Sequence, residues 1–403
     1  MNFLIAGYIV LSSILAFFLV FPFLKVLISF FTREKIDEQK VSKAYDFGSI
    51  ITAYKNVHIT KPLVQSLLRQ NYENHLIYLV ADACDVADWD IEDERLILLR
   101  PEEPLNLKAK SIIHGIENFR RDHEYIVVFD GDNVAHPDFL KEINKYVNNG
   151  HRSVQGQRTA KNLDTIYACA DSTGEFYKNY VERYIPYLIG SSAVISGSGM
   201  AVEANLYKAY LASPEIEQGK HLWKKMLQED KILQNFLLRQ NEKIAYAWNA
   251  IVYDEKVTSA DAVETQRTRW LYSYFQNIPN SLGILRRGLL NLSFNQLLFG
   301  MVTIAPPLFI LLFFSFVMAV VGIFLYLPMS LVMVAAMAIF AGNILLSLYL
   351  SKVPAAIWKA LWGLPLFVLK QVSALFKMGN PNKNFKHTEH DRTYTIDDIL
   401  KPS

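Results

Sequence analysis

Apolar residues in this chain collect at its two ends. Residues 3–24 include no charged side chain, and a helix of that length spans roughly 33 Å, about the hydrocarbon thickness of a bilayer. Two further uncharged runs, 302–325 and 331–350, are separated by Tyr326-Leu327-Pro328. The spacing predicts one N-terminal transmembrane anchor over 1–31 and a transmembrane hairpin over 301–350. A cleaved signal peptide is the rival reading of the first run. No Lys or Arg precedes it, however, and Phe-Pro-Phe-Leu-Lys is a poor cleavage site. A buried core helix pair is the rival reading of the hairpin, and its runs are long for that. Lys25, Arg33 and Lys35 follow the first apolar run, while Arg286, Arg287 and Lys352 flank the hairpin. By the positive-inside rule all of these flanks are cytosolic. The stretch 353–378 is apolar but carries Lys359, Lys370 and Lys377 among Trp358 and Trp362. Snorkelling cations and tryptophans fit a surface segment, so 351–380 is expected to be interfacial and amphipathic, with 276–300 an interfacial helix. Residues 381–403 form a polar, cytosolic tail.

Between these ends the pattern changes to short apolar runs alternating with helical periodicity. Strands are expected at 48–54, 76–81, 95–100 and 125–129, with helices at 62–69 and 107–119. Such alternation implies a mainly parallel sheet with helices on both faces, here over a cytosolic domain at 44–275. Ligands of such sheets sit beyond the carboxyl ends of the strands, where Asp82 and Asp130 fall. No Gly-x-Gly-x-x-Gly follows the first strand, and Gly197-Ser198-Gly199 comes too late for a dinucleotide loop, so it is read as a tight turn.

Composition sharpens the class. The chain has 403 residues, is 51% hydrophobic and carries a formal net charge of +2. Its mean hydropathy of +0.13 is high for a wholly soluble protein. Near-neutral charge argues against a nucleic-acid partner. The two cysteines, Cys84 and Cys169, belong to no Cys-x-x-Cys or Cys/His cluster, which disfavours a disulfide framework or zinc site and suits a reducing compartment.

Three polar groups could carry chemistry. Asp130-Gly131-Asp132 ends a buried strand and could aim two carboxylates at a hard divalent cation bridging to a diphosphate; the plain alternative is a solvated turn. Gln228-Glu229-Asp230 opens the helical run 231–238, where acids either cap a helix or act as a base. Gln266-Arg267-Thr268-Arg269-Trp270 offers an arginine fork for a diphosphate and an aromatic face for a sugar, or else belongs to a membrane-surface helix.

In their order, these groups resemble the membrane-bound family 2 glycosyltransferases, which include cellulose, chitin and hyaluronan synthases. The nearest look is to the bacterial exopolysaccharide, methanolan-type branch. The likeness covers roughly 48–275. It runs through Val80-Ala81-Asp82-Ala83-Cys84, Phe129-Asp130-Gly131-Asp132-Asn133, Val154-Gln155-Gly156 with Lys161-Asn162, Glu229-Asp230, Tyr253-Asp254-Glu255-Lys256 and Gln266 to Trp270. The tail piece His387-Thr388-Glu389-His390 is also similar. The resemblance implies a GT-A-like domain, a nucleotide-sugar donor expected to be UDP-linked, Mg2+ or Mn2+, and inversion at the anomeric carbon. It assigns Asp82 and Tyr54 to the nucleotide, Lys108 to the phosphates, Asp130 to the nucleotide and Asp132 to the metal. Asp230 becomes the general base, Gln266, Arg269 and Trp270 close over diphosphate and acceptor, and 196–200 lies along the acceptor site. The chain departs from the family pattern at Ala53-Tyr54-Lys55-Asn56, where a carboxylate is missing, at Gln228 in place of Thr, and at Leu107-Lys108 in place of Gly-Lys.

A processive exopolysaccharide synthase at the inner membrane is the leading expectation. Three spans give little wall for a private channel, so a homo-oligomer or an export partner would complete it. Single addition to a polyprenyl-linked acceptor is the alternative, and a non-catalytic scaffold or export subunit is a third reading.

Overall fold

The computed structural model describes residues 3–222, 228–363, 371 and 393–401. An eight-stranded mixed sheet forms the centre, in the order β3-β2-β1-β4-β7-β6-β8-β5. Its first half comprises β1 (Phe47–Asn56), β2 (His75–Asp85), β3 (Leu96–Leu99) and β4 (Tyr125–Asp130), all parallel. Its second half comprises β5 (Val134–Ala135), β6 (Ser153–Ala160), β7 (Met200–Glu203) and β8 (Ile244–Asp254). There β7 runs antiparallel to β4 and β6, and β6 pairs parallel with β8. Near-continuous apolar runs such as Tyr125–Phe129 are what a strand buried on both faces requires.

Helices pack their apolar stripes against the sheet or against one another. They are α1 (Phe3–Ser29), α2 (Lys61–Leu68), α3 (Lys108–Glu117), α4 (Phe139–Asn148), α5 (Ile166–Lys178), α6 (Ile185–Leu188), α7 (Ala204–Leu211), α8 (Pro214–Leu222) and α9 (Glu229–Arg239). One core joins Ile50, Ile77, Val127 and Phe129 of the strands to Leu63, Ile112, Ile143 and Leu233 of the helices. Register then places the polar strand ends together: Thr52 lies opposite Asp130, and Tyr54 opposite Asp82.

The chain continues through α10 (Ala260–Leu290), α11 (Phe294–Ile304), α12 (Leu308–Leu325), α13 (Leu327–Leu350), α14 (Ala355–Ala360) and α15 (Ile396–Leu400). Three helices, α1, α12 and α13, are long and apolar enough to cross a membrane. They pack together through close approaches. The Tyr8 hydroxyl donates to Met318 O at 3.0 Å, and Ser330 Oγ to Ala319 O at 2.6 Å. A Cβ at Gly322 would stand 2.0 Å from the Tyr8 oxygen, so only glycine lets α1 meet α12 there. Small residues and satisfied hydroxyls are what hold helices together in lipid.

Beyond Lys178 the helix widens into a π-turn over Asn179–Tyr184, and this segment joins the soluble domain to the apolar helices. Tyr177, Tyr180, Val181 and Ile185 pack into one cluster with Leu19 and Val26 of α1 and Phe340 of α13.

Several boundaries differ from those read in sequence. Lys25 was assigned to the cytosolic flank, yet α1 continues to Ser29 and Lys25 is only 3% exposed. Its Nζ donates to Val181 O at 2.8 Å. The run 302–325 is two helices, because the consecutive prolines at 306 and 307 remove backbone donors and fix φ. The division at 275/276 falls inside α10, which carries the soluble domain's last motif and the basic pair Arg286-Arg287 on one rod. Of the expected surface stretch, α14 buries Ile357 and Ala360 against Cys169 and Phe176 of α5 and Leu348 of α13. Residues 364–370 and 372–392, with the His387-Thr388-Glu389-His390 piece, lie outside the described residues. In the tail, α15 opens with a Thr395/Asp398 capping box, buries Ile396, and pairs Asp397 with Arg69 of the domain at 2.7 Å.

Candidate active site

The carboxylate centre forms where β4 ends beside the 196–199 loop. Thr60 and the Thr52 carbonyl crowd Gly131: a Cβ there would meet Thr60 Cγ2 at 2.9 Å and Thr52 O at 3.1 Å, so glycine lets the Asp-x-Asp turn leave the sheet. Asp130 N–H donates to Ser198 Oγ at 3.0 Å. Ser198 in turn donates to Asn133, whose amide reaches Asp132 Oδ1 and Asp254 Oδ1, both at 3.2 Å. Lys161 Nζ donates to the Asp132 carbonyl at 3.2 Å. Gln155 holds the facing loop, donating to Ser198 O at 2.9 Å and accepting from Ser196 N at 3.0 Å. The tight turn expected at 197–199 is present, with φ +87° at Gly197 and +63° at Gly199.

Lys108, first residue of α3, ties this centre to the second acidic group. Its Nζ donates to Asp130 Oδ1 at 2.6 Å and Gly197 O at 2.9 Å, and lies 3.3 Å from Glu229 Oε1. Burial disfavours the lysine's charge, but Asp130 and Glu229 outweigh it and hold the ammonium protonated. Burial raises the Glu229 carboxyl, with Lys108 opposing and Asp230 and Asp130 adding to the rise. Asp230 approaches the same spot from the start of α9: a Cβ on Gly197 would lie 3.8 Å from Asp230 Oδ2. Asp130, Lys108, Gly197, Glu229 and Asp230 thus surround one small volume.

Tyr54 and Asp82 lie one loop away. Asp82 is 2% exposed, and its two oxygens accept the N–H groups of Leu105 and Asn106, each at 2.8 Å. Tyr54 OH donates to Asn106 Oδ1 at 2.9 Å. This aspartate therefore staples the loop that delivers Lys108, a duty its place in the sequence does not announce. Lys55, one residue before Asn56, has φ +65° and lies 5.2 Å from the Tyr54 ring centroid.

Gln266, Arg269 and Trp270 stand on the early turns of α10, which crosses two neighbours. Arg267 pairs with Asp171 of α5 and stacks 4.5 Å from the Trp270 ring centroid. Gln228 donates to Gln276 at 3.2 Å, and Asn235 to Asn277 at 2.8 Å, locking α10 to the helix that carries Asp230. Burial lowers the Arg269 pKa.

A buried ionic network, which no sequence spacing signalled, backs the site. Glu175 accepts from Arg158 Nη2 at 3.0 Å and Arg183 Nη1 at 2.7 Å. Arg158 also donates to Ser196 O at 3.1 Å and lies 3.7 Å from Asp254, which Lys256 contacts at 3.0 Å. Burial opposes the Glu175 charge, but the two arginines and Lys256 hold its carboxyl well below the usual range.

Among the described residues no group of three or more His, Cys, Asp or Glu is arranged around a metal position. An oxygen-seeking Mg2+ or Mn2+ held by one or two carboxylates and completed by phosphates needs no such group, so Asp130 and Asp132 fit it.

Among solved structures, a mannosyltransferase from Pyrobaculum calidifontis, in complex with GDP-Man and Mn2+, matches with a TM-score of 0.53 at 12% identity, covering 93% of this chain and 100% of that one. A TarS fragment from S. aureus aligns over 60% of this chain and 65% of its own, with a TM-score of 0.40 and 13% identity. No curated protein sequence matches. The family model described as glycosyltransferase like family 2 matches residues 46–273, more than half of the chain. With its mixed sheet, strand-end aspartates and facing acidic helix, the chain belongs to the family 2-like glycosyltransferases.

Proposed function

We propose that the protein transfers a sugar, with inversion, from a nucleotide-sugar to a glycan being extended at the cytosolic face of the inner membrane, as in exopolysaccharide synthesis. The observation that carries this reading is the convergence of Asp130 and Asp230 across Lys108 and Gly197. In this reading Asp130 lies beside the diphosphate and Asp230 beside the acceptor hydroxyl that loses its proton. The hydroxyl oxygen attacks the anomeric carbon while its proton passes to Asp230. The bond from that carbon to the diphosphate breaks, and its electron pair leaves with the nucleoside diphosphate. Lys108 offers positive charge to the phosphates, and Arg269 and Gln266 of α10 close over them. Asp132 and Asp130 would hold Mg2+ or Mn2+, which supplies charge stabilisation for the leaving diphosphate. A UDP-linked donor is the reading carried from the family resemblance.

The membrane arrangement is part of the proposal. Ile396 is buried and Asp397 pairs with Arg69, which holds the tail on the side of the catalytic domain. An even number of crossings between them satisfies this, with α12 and α13 as the hairpin. With three candidate spans among the described residues, addition of one sugar to a polyprenyl-linked acceptor is the second reading.

Membranes containing the protein, given labelled UDP-sugars and Mg2+ or Mn2+, test both readings by product length. Long polymer supports extension, a single lipid-linked addition supports the second reading, and absence of transfer from every nucleotide-sugar removes both in favour of a scaffold. Asp132→Asn should weaken Mn2+-dependent UDP binding by at least on the order of 10-fold, read by titration with and without the metal. Unchanged metal dependence would take Asp132 out of the metal site.

A further inference from the structure

The charges of three carboxylates, Asp130, Glu229 and Asp230, act on the Lys108 ammonium, and it does not serve them equally. Its shortest contact is the 2.6 Å hydrogen bond to Asp130 Oδ1, and a second bond goes to the Gly197 carbonyl at 2.9 Å. Glu229 Oε1 is left at 3.3 Å. Charge-assisted N–H to carboxylate bonds run about 2.7–2.9 Å, so Glu229 holds only a loose pair. Among the described residues it has no other ion-pair partner, although its side chain is only 14% exposed.

Glu229 is nevertheless firmly presented. The Tyr210 hydroxyl donates to its carbonyl at 2.7 Å and so fixes the first turn of α9. The neighbouring hydroxyl of Tyr207, also on α7, is buried with no hydrogen-bond partner, and the charges of both Lys108 and Glu229 act on it. A buried hydroxyl can donate or accept, and one left without a bond is ready to satisfy a second arrangement of this pair.

The arrangement present conflicts with the chemistry at Asp130. In the proposed reaction that carboxylate faces the metal and the diphosphate, yet one of its oxygens already carries an ammonium. Two cations on one carboxylate repel each other, so the ammonium yields. A lysine has a flexible four-carbon stem and three rotatable donors, and Glu229 Oε1 is within its reach.

We propose that Lys108 is the counter-ion of Asp130 only until metal and diphosphate bind, and that it then passes to Glu229, the positioning residue that receives it. The inference rests on the transferase reading and gives Glu229 a part in it. Lys108 keeps its charge within the site without competing for Asp130, and Glu229 acts through Lys108 rather than on the donor or acceptor.

The test is Mn2+ binding by the full chain in phosphatidylcholine nanodiscs, read from the electron paramagnetic resonance signal of free Mn2+, with and without UDP. Lys108→Gln should bind Mn2+ alone at least about 10-fold more tightly than the wild type, because no ammonium competes. Glu229→Gln should bind it at least about 10-fold more weakly, because the displaced ammonium has nowhere to go. In the Lys108→Gln background the same Glu229→Gln change should cost at most about 3-fold. Charges fixed in place act additively, whereas a lysine that moves between two carboxylates couples them. Unchanged or weaker Mn2+ binding in Lys108→Gln overturns the exchange. So does an equal Glu229→Gln loss in both backgrounds, which would make Glu229 a fixed charge or a ligand. If Lys108→Gln does not fold, Glu229→Gln alone decides, and wild-type Mn2+ affinity in it overturns the proposal. Failure of UDP to bind the wild-type protein with Mn2+ would instead strike the transferase reading, since the exchange is read from Mn2+ alone.

Discussion

Asp230→Asn should reduce sugar transfer by roughly 10²–10⁴-fold while leaving UDP affinity nearly unchanged. The substitution keeps the size of the side chain and removes its ability to take a proton. Because Asp230 sits at the first turn of α9 with Lys231 3.6 Å from its carboxylate, the amide can be accommodated without moving the helix. In the proposed reaction the nucleotide is held by Asp130 and Lys108, whose own ion pair the substitution leaves in place. Transfer rates and UDP titration on the same preparation separate the two effects. Wild-type activity in this variant would remove Asp230 as the base, and Glu229, held by Lys108 in the same volume, would become the group to test.

The second large effect concerns stability. Glu175→Gln removes the one negative charge that separates the buried guanidinium groups of Arg158 and Arg183. Breaking a buried pair by deleting one partner typically costs about 3–5 kcal/mol, because the surviving charges stay desolvated. For a domain of this size that corresponds to a fall in Tm on the order of 10 °C, measurable by thermal unfolding in detergent. The pH dependence has a definite sign. The folded carboxyl is depressed below its unfolded value, so its stabilisation is fully present above the ordinary Glu range and is lost only as pH falls through the lower, folded value. Acid unfolding should therefore begin at higher pH in Glu175→Gln than in the wild type. A Tm and an acid midpoint equal to those of the wild type would show that the network carries no net stability.

The two effects also separate chemistry from support. Asp230 acts at the reacting hydroxyl in the proposed reaction, whereas Glu175 works through Arg158 on the Ser196 carbonyl and Asp254, and thereby on the loops that frame Asp130 and Asp132. Arg183 brings the π-turn, and with it the contacts to α1, into the same network.

What the sequence determined by itself were the features written in local pattern. Hydrophobic runs marked the three apolar helices and the parallel strands, because a bilayer and a doubly covered sheet each require an unbroken apolar stretch. The order of the motifs from Asp82 to Trp270 pointed to the glycosyltransferase family, which the match over 46–273 establishes. Local pattern failed where a neighbour far along the chain decided the outcome. Lys25 looked like a topological flank until Val181, from a distant π-turn, offered it a carbonyl. Asp82 is assigned to the nucleotide by resemblance, and only the fold brings the Leu105 and Asn106 amides onto both of its oxygens. Glu175 sits on a helix whose spacing gives no hint of two arginines, one from β6 and one from the π-turn, closing on it. Hydrophobic periodicity records which face of an element is buried. Which polar groups meet behind that face is set by chain crossings, and only the tertiary structure decides them.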